Sequence, residues 1–243
     1  MTRFTVFEVE TLNTRFADAG AEAVLDFALA TFGSKLAFAC SLGLEDAVLM
    51  EMASRRGTRP RAFFLDTGRL HPETYDTLAR LQERYGIPIE TYFPDAAAVE
   101  AFVNTHGPNA FYGSLDLRKA CCAIRKVEPL KRALRGAEAW ITGLRREQAP
   151  SRRALGPFEL DWEHGGILKV NPLIGWTFAQ VRDHADSRRI PVNPLHARGY
   201  PSIGCAPCTR PVLPGEDLRA GRWWWEQPEH KECGLHAARK EPA

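Results

Sequence analysis

Residues 35–46 read KLAFACSLGLED, and this stretch decides the fold. KLAFAC is a short run in which five apolar residues follow Lys35. It is too short for a helix of its own and long enough for a strand buried in a parallel sheet. SLGLED turns out of that strand, and helix-length apolar periodicity follows over residues 44–55. In an open parallel sheet, the turn from a strand's end into a helix is where ligands bind, because backbone N–H groups and the positive helix end face an anion there. Gly43 permits close approach of the backbone, and Ser41 offers a hydroxyl. Taken alone, the turn reads equally well as ordinary turn chemistry.

The same pattern recurs outward from it. RAFFL at 61–65, PIETYF at 88–93 and AEAWIT at 137–142 read as further buried strands. Residues 72–85 and 96–105 read as helices, with Pro72 where a first-turn proline is tolerated. Alternation of this kind predicts an α/β fold, a parallel sheet with helices on both faces. A second strand-to-helix turn, LDTGRLHPE at 65–73, adds another polar rim. Two such turns suit a ligand of nucleotide size.

After Leu144 the texture changes to arginines, glycines and prolines, with one more helix expected over residues 176–188. The reading is therefore a nucleotide-binding domain over 1–192, including the first cysteine pair, and a C-terminal segment over 193–243. Residues from 227 onward read as an exposed, mobile tail.

The 243 residues are 44% hydrophobic and 26% charged, enough to bury a core and unlike a disordered or fibrous chain. Net charge is only +2, which gives no general electrostatic grip on nucleic acid. No apolar run reaches membrane-spanning length and no signal peptide is visible, so no membrane partner is expected. Six cysteines without a secretion signal point to a reducing cytoplasm and to metal or redox work.

Four of those cysteines form two close pairs, Cys121-Cys122 in KACCAIRK and Cys205-Ala-Pro-Cys208. A CxxC turn can place two thiolates on one metal, and a second pair completes a four-thiolate shell suited to zinc or an iron–sulfur cluster. The competing reading keeps Cys121 and Cys122 as buried helix residues. Cys233 stands apart in KECGLH, where Lys231 and His236 would favour its thiolate, and alone it reads equally well as an incidental exposed thiol. Cys40 reads as a small core hydrophobe, and Trp223, Trp224 and Trp225 as packing beside CxxC rather than a partner patch. Arg125, Lys126, Arg145, Arg146, Arg152, Arg153, Arg219 and Arg222 lie near these motifs. A convergent subset would match sulfate or phosphate oxygens, while about half are expected to be solvated surface.

Together these motifs resemble the bacterial assimilatory adenylyl-sulfate (APS) reductase family, related to the phosphoadenylyl-sulfate (PAPS) reductases. The resemblance runs from SLGLED through LDTGRLHPETY, KACCAIRK, ITGLRREQ and GCAPC to ECGLH, nearly the whole chain. It implies a pyrophosphate-loop fold of the adenine nucleotide alpha hydrolase-like type with a C-terminal redox tail. The first turn departs from the SGGxDS loop of ATP pyrophosphatases, with Leu42 at the first glycine and Asp46 at the serine, which counts against ATP cleavage.

The resemblance further implies one 4Fe-4S cluster on Cys121, Cys122, Cys205 and Cys208, with Cys233 as catalytic nucleophile. It places Lys126, Arg219, Arg222 and His236 on the phosphosulfate, and Ser41, Gly43, Asp46, Leu65, Thr67, Gly68 and Gly143 around the nucleotide. The implied chemistry is reduction of APS to sulfite and AMP through an S-sulfocysteine, with thioredoxin or a similar dithiol protein as donor, in sulfate assimilation and cysteine biosynthesis. Use of PAPS, or of both nucleotides, is the alternative within the family. An ATP-using sulfur-transfer enzyme on the same fold and a non-enzymatic nucleotide sensor are the rivals outside it. Self-association is left open.

Overall fold

The computed structural model describes residues 4–149, 152–227, 231 and 235. Two helices precede the first strand, neither anticipated above. Helix α1 (Val6–Arg15) starts at Thr5, whose hydroxyl accepts the Glu8 N–H at 3.2 Å while the Glu8 carboxylate accepts the Thr5 N–H at 2.7 Å. This reciprocal cap satisfies two donors that a helix start would otherwise leave unpaired. Helix α2 (Ala21–Phe32) buries Ala21, Val24, Leu25, Ala28, Leu29 and Phe32, a stripe at helical spacing.

The βα alternation then follows as expected: β1 (Leu36–Ala39), α3 (Leu44–Ser54), β2 (Arg61–Leu65), α4 (Pro72–Tyr85), β3 (Ile89–Tyr92) and α5 (Ala96–His106). Pro72 begins α4, and Gly86, with φ of 59°, ends it in the left-handed conformation that glycine adopts without penalty. Beyond α5 lie α6 (Leu115–Cys122), a π-helical turn (Ala123–Val127) and α7 (Glu128–Ala133). Pro129 accounts for the wide turn, because it has no N–H for the Arg125 carbonyl and its ring would clash there in a regular helix. The turn follows directly on Cys121-Cys122 and carries Arg125 and Lys126.

Strand β4 (Ala139–Ile141) occupies the expected position. The segment after Leu144 contains an unanticipated pair, β5 (Phe158–Asp161) and β6 (Ile167–Val170), before α8 (Phe178–Ser187). The sheet order is β3-β2-β1-β4-β6-β5, parallel throughout except that β5 runs antiparallel to β6 at one edge. From β1 the chain winds outward through β2 and β3, then returns to place β4 on the other side of β1. The crevice beyond the carboxyl ends of β1 and β4 is therefore a topological switch point.

Alternate residues of each strand serve different faces. Leu36, Phe38, Phe64, Ile141 and Val170 join the large core under α1 to α4 and α8. Ala37, Phe63 and Trp140 face the other side, where Leu130, Ala133 and Leu134 of the α7 region cover them. Helices thus cover both faces, one far more thickly than the other. The thinner side, with alanines at 37 and 39 on β1, leaves room at the strand ends for a cleft. No helix among the described residues is long and apolar enough to cross a membrane.

Candidate functional site

A cleft of about 210 Å³ opens at the switch point. Of the nucleotide-site candidates, Ser41, Gly43, Asp46, Leu65 and Gly143 line it. Of the phosphosulfate candidates, Lys126, Arg219 and Arg222 do so. Cys233 and His236 lie outside the described residues.

The turn after β1 is held from within. The Asp46 carboxylate is 4% exposed and accepts both the N–H and the hydroxyl of Ser41, each at 2.6 Å. Burial nevertheless pushes the Asp46 carboxyl up to about 7, with the bonds from Ser41 opposing it. Leu42 has φ of 64° and is 1% exposed. A left-handed leucine costs about 1–2 kcal/mol, which the roughly 1.5–3 kcal/mol gained by burying its side chain offsets. Leucine thus serves where a glycine would be easier because its side chain belongs to the core.

Gly143, after β4, comes so close to this turn that a Cβ there would stand 2.6 Å from Asp46 Oδ1 and 2.8 Å from the Glu45 Cβ. Its absent side chain lets the two loops meet across the switch point. Glu45 Oε1 accepts Arg145 Nε at 2.8 Å and Gln148 Nε2 at 3.0 Å, and Arg145 also reaches Glu147 at 2.7 Å. Arg145 and Arg152 are buried and line the cleft, whereas Arg146 and Arg153 are exposed. The sequence flagged this arginine cluster without separating its inward from its outward members. His196 also lines the cleft and carried no sequence signal; its Nδ1 bonds the Tyr200 carbonyl at 2.8 Å.

Thr67 and Gly68 do not line the cleft; they stand beside the cysteines. The Thr67 hydroxyl is 3.2 Å from Cys205 Sγ, and Arg125 Nη1 donates to the Thr67 carbonyl at 2.6 Å. Asp66 shapes this turn by accepting the Gly68 N–H at 2.8 Å and the Tyr75 hydroxyl at 2.9 Å. The CxxC turn docks on it through the Ala206 N–H and the Arg69 carbonyl, 2.8 Å apart.

Cys121, Cys122, Cys205 and Cys208 line one small cavity with Arg69, Phe111, Arg118, Arg125, Lys126 and Arg222. The fold thus brings Cys121 and Cys122 to the CxxC turn. All four are free thiols packed with Phe111 and Trp223. Burial works to raise the Cys205 thiol, but Lys126, the Thr67 hydroxyl, Arg222 and Arg125 together hold it below its ordinary value. Burial, followed by the charge of Cys205, pushes Cys208 up to about 12. Among the described residues, no three His, Cys, Asp or Glu side chains converge closely enough to hold a single ion. The four thiols line the cavity walls without meeting. An all-sulfur donor set, two of its thiols buried and two half-buried, ringed by cations, fits a group of net negative charge with soft metal centres.

Lys126, Arg222 and Trp223 line both the cleft and the cysteine cavity, and form the wall between them. Two guanidiniums lie against the Trp223 ring, Arg222 at 4.7 Å and Arg118 at 4.8 Å from its centroid. Trp223 is buried as packing and Trp224 is exposed. Arg222 bonds Ser202 Oγ and the Ile203 carbonyl, each at 3.2 Å, and covers Gly204, where any Cβ would collide with it. Arg219 donates to the Lys231 carbonyl at 3.0 Å. Cys40 is buried at the cleft's edge, and burial raises its thiol well above the ordinary value, in keeping with a core role.

Residues 35–211 match the family model described as phosphoadenosine phosphosulfate reductase domain. The chain is 54% identical over 215 residues to an adenosine 5'-phosphosulfate reductase of Burkholderia cepacia, covering 87% of this chain and 86% of that one. The crystal structure of a PAPS reductase from Candida auris in a phosphate complex superposes with a TM-score of 0.74 at 31% identity, over 85% of this chain and 98% of that one. Yeast FAD synthetase, at 15% identity and a TM-score of 0.54 over 87% of this chain and 70% of its own, shares the fold alone. With the matching family model spanning most of the chain and a relative 54% identical along most of both lengths, the chain belongs to the phosphoadenosine phosphosulfate reductase domain family.

Proposed function

We propose that this chain reduces adenosine 5'-phosphosulfate to sulfite and AMP by way of Cys233, in sulfate assimilation leading to cysteine. One observation carries the reading: Lys126 and Arg222 stand in a single wall, with the nucleotide cleft on one side and four thiols on the other. Names borne by relatives at 46–54% identity support APS over PAPS as substrate. PAPS use remains the second reading, supported by the Candida auris likeness.

The Cys233 thiolate attacks the sulfate sulfur, forming an S–S bond as the bond from that sulfur to the phosphate oxygen breaks. AMP departs with the electron pair, leaving an S-sulfocysteine. Thiolate and substrate are both anionic, so Lys126, Arg222, Arg219 and His236 act by offsetting their repulsion and the charge growing on the phosphate. A thiolate of a thioredoxin-like dithiol then attacks the Cys233 sulfur, and sulfite leaves with the electron pair. The donor's second thiol resolves the mixed disulfide, so the donor supplies both electrons and Cys233 is regenerated. The 193–243 segment serves as the redox tail, and the setting is the reducing cytoplasm.

Cys121, Cys122, Cys205 and Cys208 would hold one 4Fe-4S cluster, which when bound supplies a fixed negative charge and a scaffold behind Lys126 and Arg222 rather than electrons. Incubation with sulfur-labelled APS, without any thiol donor, tests the covalent step. One AMP is released per chain and the label resides on Cys233; AMP release without label on the protein contradicts the step. Consumption of ATP instead would favour the sulfur-transfer rival.

A further inference from the structure

Five cationic side chains face the cysteine cavity, and one of them differs in origin. Arg118 rises from α6 at 1% exposure, among the largest fully buried side chains of the molecule. Its Nε and Nη2 form a fork with Glu226, at 2.8 Å to Oε1 and 2.7 Å to Oε2, and Glu226 is itself 7% exposed. Its guanidinium lies over the Trp223 ring, and Arg118 lines the cavity together with Cys122, one turn further along the same helix. A single buried side chain therefore ties together the cysteine pair, the tryptophan that closes the cavity, and the acidic residue three positions beyond that tryptophan.

Stability does not explain such an arrangement. Removing two charges from water costs as much as their attraction returns, and apolar residues of similar volume in place of a buried ion pair are often neutral or stabilising. What apolar residues cannot supply is an N–H directed at sulfur. Groups behind a metal ligand set its orientation and electron density, and a charged N–H is a strong donor for that purpose.

We propose that Arg118, held in register by Glu226, is a positioning residue for the cysteine-bound cluster: its guanidinium donates to the Cys122 sulfur and orients it toward the cavity. This rests on the iron–sulfur reading of the four cysteines. Glu226 contributes by fixing the guanidinium, and its backbone keeps Trp223 seated, the Glu226 N–H bonding the Trp223 carbonyl at 2.8 Å.

The test compares anaerobically prepared holoproteins by melting temperature, by rate of iron release to a chelator, and by the visible thiolate-to-iron absorption band. Arg118→Met with Glu226→Met removes the ion pair cleanly. That double variant is expected to melt with the parent, yet to release iron about 10- to 100-fold faster and with a displaced visible band. Glu226→Gln, a shape-preserving change that keeps Arg118, is expected to fall between the two and provides the comparison if the double variant does not fold. Parent-like release and an unmoved band in the variant that folds would overturn the role of Arg118. A parent that binds no iron and sulfide when supplied with both would instead refute the cluster reading, and this proposal with it.

Discussion

The carboxylate of Asp46 accepts the amide and the hydroxyl of Ser41 at 2.6 Å each, closing the turn after β1 on itself. Asp46 shapes the anion-facing loop from behind and carries its own titration to the edge of the cleft. Burial raises its folded-state pKa from the ordinary 3.8 to about 7, so the folded chain holds this proton more tightly than the unfolded chain. The associated stability is fully present below pH 4 and is lost as pH climbs through 7. Thermal melts from pH 4 to 8 should show the parent losing at least about 2–4 °C more than Asp46→Asn, the shift expected per kcal/mol in a chain of this size. Equal slopes would contradict the assignment.

Gly143 and Gly43 should respond differently to alanine. At Gly143 the new methyl meets Asp46 Oδ1 at 2.6 Å, whereas at Gly43 its nearest neighbours stand at an ordinary 3.6 Å. Gly143→Ala is expected to cost about 1–3 kcal/mol by overpacking and to weaken AMP binding. Gly43→Ala should fold with close to parental stability. Denaturant titrations of the two variants check the contrast.

Lys126 sits in the wall shared by cleft and cysteine cavity. Lys126→Ala should lower kcat about 10²- to 10³-fold, the cost of losing one stabilising donor at the reacting centre. AMP affinity should change much less. Full turnover in this variant would remove Lys126 from the mechanism.

In metal-free protein the CxxC thiols should differ in reactivity. Cys205 is held below its ordinary value and is half-buried, while Cys208 is pushed up to about 12 and is buried. In chelator-treated protein at neutral pH, iodoacetamide should therefore modify Cys205 before Cys208, because the thiolate is the reactive form. Peptide mapping over a time course reads the order directly.

The strands β1 to β4 were legible because buried parallel strands are short apolar runs between helix-length periodic segments, as KLAFAC and RAFFL show. The edge pair β5 and β6 was not: FELD and ILKV are four residues each, and their strand character comes from pairing with one another and with β4. Helix α1 carries a legible start in Thr5 and Glu8, spaced as a capping box. The site's framework followed from local spacing, in SLGLED and the two cysteine pairs. Its electrostatics did not, since Arg145 finds Glu45 one hundred positions away. Nor did spacing show that Thr67 would turn toward Cys205 rather than into the cleft.

The most direct measurement is sulfite release from APS and from PAPS by anaerobically purified protein with reduced thioredoxin, set against Cys233→Ser. Sulfite from APS, abolished in the variant, is the predicted result, and equal use of PAPS would widen the substrate to both nucleotides. No sulfite from either nucleotide, with iron and sulfide present in the protein, would contradict the account.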